Sequence, residues 1–545
     1  MSEKVGLPDG SGNTDSGDIK GAAQPGETIN IDNGVSTDLI NASGHIQEVD
    51  RNFSLLTLTG VGINQGSTWA PAGSSIVVAL FNGGPPGVLY EFIVVSLCYW
   101  AVAACIAELA SAIPSAGGVY HWASVTPGKK WGRIVGFYAG YWNWLGWTLG
   151  GASIASIAGN IFVQMYAAHH PDLVVQPWHI FLASVIIAWI CCFLVCFGNR
   201  LMPHLNGIGI FFTVAGVVIT IVVVAAMPGY GSRPAHASSA FVWSEWQDTG
   251  LGYPKGFVFV TGMLNGAFSV GTPDAVTHLA EEIPQPGINI PKAIAFQMVI
   301  GFITGFCYLI AVLYAINDFE ALFASPFPIA EIYHQATQSA AGETGLLALL
   351  LFAILLTLIC VFITSGRVLW TLGRDNATPF PKTLTTINKR LGMPLNATIA
   401  CGVLMTIILC IYVGSTSAFN ALVGSFILLS SSSYIAAILP NLLTGRKNII
   451  YGPFHLKGAW GFILEFVACA YMIVWFAIYC FPAALPVTAA TMNWSSLIWG
   501  GLTILVTLWW FVSARKGYKG PQAIGGVQSV AEKVRRVSVN VGDRA

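Results

Sequence analysis

Apolar segments long enough to cross a lipid bilayer recur along almost the whole chain. A transmembrane helix needs about 20 predominantly apolar residues, and we count about twelve such segments. They lie at residues 54–80, 87–113, 133–166, 178–198, 205–227, 256–281, 292–316, 344–372, 397–413, 418–443, 459–482 and 494–512. Only 9% of the residues are charged and the mean hydropathy is +0.66, whereas soluble domains contain roughly 25% charged residues. The sequence therefore predicts an all-α, polytopic membrane protein.

Basic residues are unevenly distributed between the predicted loops. With both termini in the cytoplasm, the two outer Lys or Arg residues are Arg233 and Lys255. The thirteen inner ones are Lys129, Lys130, Arg133, Arg200, Lys292, Arg367, Arg374, Lys382, Lys389, Arg390, Arg446, Lys447 and Lys457. Since short cytoplasmic loops are enriched in Lys and Arg, we expect both termini in the cytoplasm, and we expect the protein in the plasma membrane.

The predicted spans divide the chain into tails, two halves and an extra pair of helices. Residues 1–50 are rich in Gly, Ser, Asp and Asn and lack an apolar core, which predicts a disordered cytosolic tail without a cleavable signal. The transmembrane region is 51–513, with repeat one at 54–227, repeat two at 256–443 and extra helices at 459–512. Five spans in a half turn the second copy upside down, as in inverted-repeat transporters. The basic tail 514–545 is expected in the cytosol, where it can contact anionic lipid.

A polar, glycine-rich run interrupts the first span. It contains the consecutive residues Asn64, Gln65, Gly66, Ser67 and Thr68, followed by Trp69. Non-helical backbone is tolerated at membrane depth only where it lines a cavity or is buried in protein. The freed amides at a helix N-terminus favour an anionic or electron-rich group. Residues 62–66 also fit a Gly-x-x-x-Gly packing motif, but packing does not require so much polarity, and we favour a substrate site.

The sixth span has a corresponding interruption at residues 269–275. Gly271 and Pro273 precede Asp274, and His278 follows one helical turn later. A carboxylate near mid-membrane is a functional candidate by default, either as a proton carrier or as the counter-charge of a cationic substrate. His278 can hydrogen-bond to Asp274 at this spacing. The alternative is an Asp that merely caps the helix after the proline.

Aromatic residues are dense where the two interruptions would meet. Trp69, Trp142 and Phe268 are our candidates for contact with substrate. Stacked aromatic faces attract an ammonium group by up to about 2 kcal/mol when dry. Aromatic residues in membrane helices also pack between helices or face lipid, which is the alternative for each of these rings.

Several classes of protein are disfavoured. The eleven cysteines all fall in predicted spans and read as packing residues. The ten histidines are scattered, so we expect no metal site, no cofactor and no enzyme. No ring of charge or repeated filter loop suggests a channel, and the zero net charge gives no reason to expect a nucleic-acid partner.

Four motifs carry a resemblance to a known family. They are ELASAIPSAGGVYHW at 108–122, EEIPQPGINIPKA at 281–293, RDNATP at 374–379 and PLN at 394–396. Over about residues 50–515 the chain resembles the fungal amino acid/choline transporter family of the amino acid/polyamine/organocation superfamily. The resemblance implies a fold of twelve helices with a five-plus-five inverted repeat, interrupted first and sixth helices, and alternating access.

The resemblance also implies roles for particular residues. A substrate carboxylate would meet the first interruption, at 65–68. Asp274 occupies the position of an acidic residue that takes part in proton-linked gating. Glu108, Lys129 and Lys292 would belong to the cytoplasmic gate and loop scaffold. The fifth span, 205–227, lacks the lysine that several proton-coupled relatives carry there.

We therefore expect a proton-coupled secondary transporter of a small amine or amino acid, such as choline or γ-aminobutyrate. The density of aromatic residues alone favours choline or a related amine. Two alternatives remain open, an exporter of an amino acid derived secondary metabolite and a nutrient sensor that binds without transporting. The substrate-binding candidates are Asn64, Gln65, Gly66, Ser67, Thr68, Trp69, Trp142, Phe268, Gly271 and Asp274. Asp274 and His278 are the candidates for proton coupling, and Glu108 and Lys292 are those for the gate.

Overall fold

A computed structural model describes residues 54–198, 201–388, 390–414 and 418–521. The predicted N-terminal tail and the predicted C-terminal tail beyond residue 521 lie outside the described residues. Apart from an isolated bridge between Asn388 and Met393, the regular elements of the described part are helices. The all-α prediction is confirmed.

The first half contains a broken first helix and four continuous ones. Its helices are α1 (Leu55–Gln65), α2 (Trp69–Ser74), α3 (Val77–Leu80), α4 (Gly84–Ala112), α5 (Val119–Val125), α6 (Gly132–Ala167), α7 (Pro177–Phe197) and α8 (Met202–Ala226). Helix α5 is a short loop helix that the sequence did not predict. Prolines stand in the first turn of α4, α7 and α8, where the missing amide has no helical partner to lose.

The second half repeats this order after a loop. Its helices are α9 (Ser239–Trp243), α10 (Lys255–Val270), a 3-10 helix (Ala275–Glu282), α11 (Pro286–Tyr314), α12 (Phe319–Ala324), α13 (Pro328–Thr337), α14 (Ala340–Arg374), α15 (Pro381–Leu384), α16 (Leu395–Gly414) and α17 (Ala418–Leu443). The extra helices are α18 (Ala459–Ile478) and α19 (Ser495–Trp509), followed by a π-helical turn (Trp510–Ala514) and α20 (Arg515–Gly517).

These helices form twelve membrane spans. Among the described helices, eight are long and apolar enough to cross a membrane by length and composition. The other four spans are the two broken ones, the Gly- and Ser-containing α6, and α16. Large apolar side chains on the outer helices are exposed, for example Phe211 on α8 and Ile504 on α19, as expected for a surface that faces lipid.

The two halves pack in a symmetric arrangement. Helix α6 packs on α17 and its counterpart α14 packs on α8, so the third helix of each half contacts the fifth of the other. Likewise α4 packs on α10 and α11 packs on α1. The chain therefore has the five-plus-five inverted-repeat fold, with both broken helices at its centre.

The bundle has two ends. We call the end where α1 begins and α20 ends the termini face, and the other end the opposite face. The segments that follow an even number of spans lie at the termini face, and these are α5, α15 and the loop 444–458. Those that follow an odd number lie at the opposite face and include α9, α12 and α13. Contacts across the termini face support this placement, because Asn448 donates to the carbonyl of Thr126 at 2.8 Å and Tyr120 donates to Asp375 at 2.7 Å.

Candidate substrate site at the two helix breaks

The first break is short and held by its own backbone. Helix α1 ends at Gln65 and α2 begins at Trp69. The amide of Gly66 donates to the carbonyl of Gly62 at 2.7 Å, and the amide of Thr68 donates to the carbonyl of Gly66 at 2.7 Å. These two amides are therefore not free donors, contrary to the expectation from sequence, because a break of only three residues can close turn-like bonds on itself.

Asn64 joins the first break to the scaffold. Its amide nitrogen donates to the carbonyl of Asn206 on α8 at 3.0 Å, and its Oδ1 accepts from Thr213 at 3.2 Å. The hydroxyl of Thr357 on α14 donates to the carbonyl of Asn64 at 2.8 Å. The side chain of Asn64 therefore anchors α1 and does not offer an unused group to a solute.

Other polar atoms at the breaks are buried and have no hydrogen-bond partner in the part of the chain that the structure describes. Gln65 uses its Oε1 to accept from Thr364 on α14 at 3.2 Å. The remaining atoms are Gln65 Nε2, Ser67 Oγ, Trp69 Nε1, Gln297 Oε1 and Asn143 Oδ1. Buried polar groups are nearly always paired in native proteins, so such a group of unpaired atoms indicates a place where a polar ligand or water binds.

The second break separates α10 from the 3-10 helix at residues 271–274. Asp274 is completely buried there, and its carboxylate accepts hydrogen bonds from two other helices. Asn143 Nδ2 and Trp147 Nε1 on α6 donate to Oδ2 at 2.8 and 3.2 Å, and Tyr434 on α17 donates to Oδ1 at 2.6 Å. His278 Nε2 lies 3.2 Å from Oδ2. The carboxylate therefore connects the second break to both flanking scaffold helices.

The contacts of His278 require a proton between it and Asp274. The Nδ1 atom lies 3.0 Å from the carbonyl oxygen of Ala116, which can only accept, so Nδ1 carries a hydrogen. The contact between Nε2 and Asp274 Oδ2 then needs a further hydrogen, whether it resides on the imidazole or on the carboxyl. Loss of that proton would set a lone pair against a carboxylate oxygen. The hydrogen bond predicted from the i, i+4 spacing is therefore present and depends on a proton.

Gln297 on α11 joins the two breaks. Its Nε2 donates to the carbonyl of Thr272 in the second break at 3.0 Å. A Cβ atom added to Gly66 in the first break would lie 2.6 Å from the same Nε2 atom. Gly66 is therefore required for the close approach of Gln297. The sequence offered no sign of this role, because Gln297 lies in a long apolar helix far from either motif.

The aromatic candidates Trp69 and Phe268 lie at different places near the breaks and pack against different rings. Trp69 is buried and packs edge-on against Tyr308, with ring centroids 5.3 Å apart. Phe268 is also buried, and its ring lies 5.9 Å from that of Phe426. The carbonyl of Gly271 accepts from Tyr434 at 3.4 Å.

Trp142 is not near the breaks. Its indole donates to Thr503 at 3.0 Å and stacks on Trp499, both on α19. In this conformation its face of α6 covers the extra helices, so the expectation that it contacts substrate stays a prediction without support from its position. Trp147, one turn further along α6, is the tryptophan that reaches Asp274.

The centre of the protein is closed in this conformation. A cavity of about 10 Å³ borders the first break, between α1, α2, α8 and α11, and is lined in part by Gly66, Ser67 and Trp69. This volume is about the room that one water molecule needs. A solute can enter the region of the breaks only if the helices move apart.

Buried ion pairs close the termini face next to the second break. Arg367 on α14 forms two hydrogen bonds with Glu282 at the end of the 3-10 helix, the Nη2–Oε2 distance being 2.9 Å. Arg374 lies 3.0 Å from the neighbouring Glu281. Arginine and carboxylate form strong paired contacts of this kind. The pairing of these four residues was not predicted from the sequence, although Glu281 and Glu282 begin one of its motifs and Arg374 begins another.

The two predicted gate residues differ in their surroundings. Glu108 is buried, pairs with Arg446 and accepts from the amide of Leu456 at 2.6 Å, which holds the loop 444–458 on the termini face. Lys292 is exposed on α11, and the described residues show no ion pair for it. The geometry gives Glu108 a place in the loop scaffold and gives Lys292 no contact at a gate.

Comparison with known proteins identifies the family. The sequence matches the profile described as "Amino acid permease" over residues 53–502, which is most of the chain. The chain belongs to the amino acid permease family. This permease is therefore a multi-pass membrane transporter, and not an enzyme.

Several fungal proteins are similar to the permease over nearly its whole length. A choline transporter of Saccharomyces cerevisiae is 30% identical over 491 residues, covering 90% of this chain and 86% of the relative. A swainsonine transporter of Arthroderma benhamiae is 27% identical, covering 87% and 93%. A putative polyamine transporter of Candida albicans is 24% identical, covering 91% of each chain.

Proposed function

We propose that this permease carries a small amine such as choline across the plasma membrane by alternating access, coupled to protons. The observation that carries the proposal is the buried carboxylate of Asp274 at the second break, close to the aromatic side chains of Trp147 and Tyr434. A buried carboxylate attracts an ammonium group, and aromatic rings beside it can add cation–π contacts. The similarity to a choline transporter supports the same class of substrate.

An amino acid substrate is the second candidate. The unpaired Ser67 Oγ and Gln65 Nε2 at the first break are suited to a substrate carboxylate, while Asp274 would bind the amino group. γ-Aminobutyrate would span the two breaks, whereas choline would use only the second. Export of an amino acid derived secondary metabolite would use the same groups in the other direction.

Proton coupling is proposed for the pair Asp274 and His278. With its proton in place, the pair connects the second break to Ala116 in the loop between α4 and α5, next to the termini face. Deprotonation would remove this connection and free the carboxylate for a cation. A proton would thereby control both the charge of the site and the closure of the termini face.

The test is uptake of labelled choline, γ-aminobutyrate and putrescine into proteoliposomes that contain the purified permease. Saturable choline accumulation that rises with an imposed pH gradient is the expected result. Binding of choline without any uptake would indicate a sensor and would contradict the proposal. Preferred accumulation of γ-aminobutyrate would replace the amine with the amino acid, and insensitivity to the gradient would remove the proton from the mechanism.

A further inference from the structure

The carboxyl group of Glu91 is buried in α4. The side chain is 1% exposed, and neither Oε1 nor Oε2 has a hydrogen-bond partner among the described residues. Glu91 lies seven residues into α4, about 10 Å along the helix from its start at the opposite face. No motif singled it out, because one acidic residue in a long apolar helix has no distinctive spacing.

Two glycines make the space that the carboxyl occupies. A Cβ atom on Gly262 of α10 would lie 2.3 Å from both carboxyl oxygens, and one on Gly87 would lie 3.3 Å from Oε1. The group therefore rests directly on the backbone of α10, the helix that leads into the second break. Any movement of α10 away from α4 would expose the carboxyl.

The surroundings suit a proton better than a larger cation. An isolated carboxylate buried in this way is very costly, and such a group takes up a proton instead. A metal ion would require several oxygen ligands, and the described residues contain no group of three His, Cys, Asp or Glu side chains that could hold one.

The titratable groups on the elements packed against α4 are mostly tyrosines and cysteines. Helix α10 contributes only Lys255, which is the first residue of that helix and is exposed. Tyr479 lies just after α18, a helix that packs against α4. The others on the helices packed against α4 are Lys292, Cys307, Tyr308 and Tyr314 on α11, Tyr434 on α17, and Glu465, Cys469 and Tyr471 on α18. Lys255 and Lys292 are both exposed, and none of the ion pairs between described residues involves Glu91.

Buried tyrosines extend from α18 towards the second break. The hydroxyl of Tyr479 lies 3.4 Å from that of Tyr471, whose ring packs edge-on against Tyr99 at 5.6 Å. Tyr99 is on α4, as Glu91 is, two turns further along. Side chains with hydroxyl groups therefore lie between α18, which packs on α4, and the middle of the bundle.

The tyrosine series ends at Asp274. A Cβ atom on Gly271 would lie 3.4 Å from the hydroxyl of Tyr99, and the carbonyl of Gly271 accepts from Tyr434. Tyr434 in turn donates to Asp274. The tyrosines therefore lie between the helices that pack on α4 and the buried carboxyl group of Asp274.

We infer that Glu91 is a second proton-binding site of the transport cycle, which exchanges its proton with water when α10 separates from α4 on the opposite side of the membrane. The inference rests on the proposed proton-coupled transport. In the closed conformation the carboxyl is protonated and permits α10 to pack on α4. In the open conformation water reaches the carboxyl and the proton can leave.

The variant Glu91→Gln tests this role, because glutamine imitates the protonated carboxyl but cannot release a proton. We expect it to retain exchange of labelled substrate at equal pH within about twofold, and to lose pH-driven accumulation by about tenfold or more. Glu320→Gln, a change of the same type on the exposed side of α12, is the matched control and should behave as the wild type.

Infrared difference spectroscopy of the purified protein gives a second readout that does not depend on transport. A band from protonated carboxyl groups should be present in the wild type at neutral pH and should lose the contribution of Glu91 in Glu91→Gln. Two results would overturn the inference while leaving the proposed function intact. One is that Glu91→Gln accumulates substrate in response to pH as the wild type does, and the other is that it keeps the band at full intensity. Wild-type uptake that ignores the gradient would refute the proposed coupling instead.

Discussion

At the scale of single residues, Asp274 is the residue on which the proposed chemistry depends. Its four hydrogen-bond contacts come from α6, α17 and its own 3-10 helix. An aspartate that only capped a helix would contact the backbone amides after it. The observed contacts are with side chains of other elements, which favours a role in binding and gating over simple capping.

We expect Asp274→Asn to reduce pH-driven uptake by about tenfold or more, equivalent to about 1.4 kcal/mol, because the amide can neither hold a proton nor attract an ammonium group. The variant should still reach the membrane, since asparagine keeps the size of the side chain. Uptake is measured in proteoliposomes at several pH values. Asp172→Asn, in an exposed loop, is the control, and an unchanged pH profile for Asp274→Asn would remove this residue from the mechanism.

Gly66 gives a second prediction at this scale. In Gly66→Ala the new methyl group would lie 2.6 Å from Gln297 Nε2 and 2.7 Å from its Cγ. Gln297 must then leave the carbonyl of Thr272 and disconnect the two breaks. We expect substrate affinity to fall by about tenfold, about 1.4 kcal/mol, as measured by equilibrium binding.

The control is Gly216→Ala on α8, where the nearest atom to a new Cβ lies 3.8 Å away. It should bind as the wild type does. Equal affinity of the two variants would favour the alternative in which residues 62–66 serve only to pack helices.

At the scale of elements, the 3-10 helix Ala275–Glu282 is held at three places. His278 connects it to Ala116, Glu282 to Arg367, and Glu281 to Arg374. A 3-10 helix has poorer hydrogen-bond geometry than an α-helix and is often found where a chain must hinge. These contacts therefore hold in place a segment whose own hydrogen bonds are weak.

Removing the partner of a buried charge tests this view. Glu282→Gln leaves Arg367 buried with a weakened contact, and loss of one partner of such a pair typically costs about 3–5 kcal/mol. We expect faster amide hydrogen exchange in residues 275–293 and a lower thermal unfolding temperature. Lys292→Gln, at an exposed position in the same region, should change neither, and normal protection in Glu282→Gln would show that the ion pair does not hold the segment.

At the scale of the whole molecule, the segment after the last span is part of the folded core. Tyr518 is completely buried and packs against Tyr120 on α5, Phe137 on α6 and Trp510. Burial raises the pKa of Tyr518, so the hydroxyl stays neutral. Arg133 also donates to the carbonyl of Arg515. The start of the predicted cytosolic C-terminal tail, at 514–521, is therefore docked on the scaffold.

Tyr518→Ala should destabilise the protein by about 3–5 kcal/mol, the usual cost of removing a large buried ring. Thermal unfolding of the purified protein in detergent would detect it as a lower unfolding temperature. Tyr518→Phe keeps the ring and should lose about 1 kcal/mol or less. If Tyr518→Ala unfolds as the wild type does, the docking makes no contribution to stability.

The sequence alone determined the class of fold and the positions of both breaks. The length of an apolar segment and the placement of Gly, Pro and polar residues are local properties, so the spans were predicted to within a few residues. Hydrogen-bond partners that lie far apart in the chain could not be predicted in this way. Asn143 and Tyr434 meet Asp274 from distances of 131 and 160 residues, and no local pattern relates them.

Tertiary structure alone decided which side of each helix faces the breaks. On α6, Trp142 and Trp147 are equally aromatic, yet one packs on α19 and the other donates to Asp274. Likewise Glu91 became a candidate only because Gly262 of another helix leaves room for its carboxyl. In a bundle that is apolar on all sides, hydrophobicity does not distinguish the inner face from the outer one, and only the packing of neighbouring helices does.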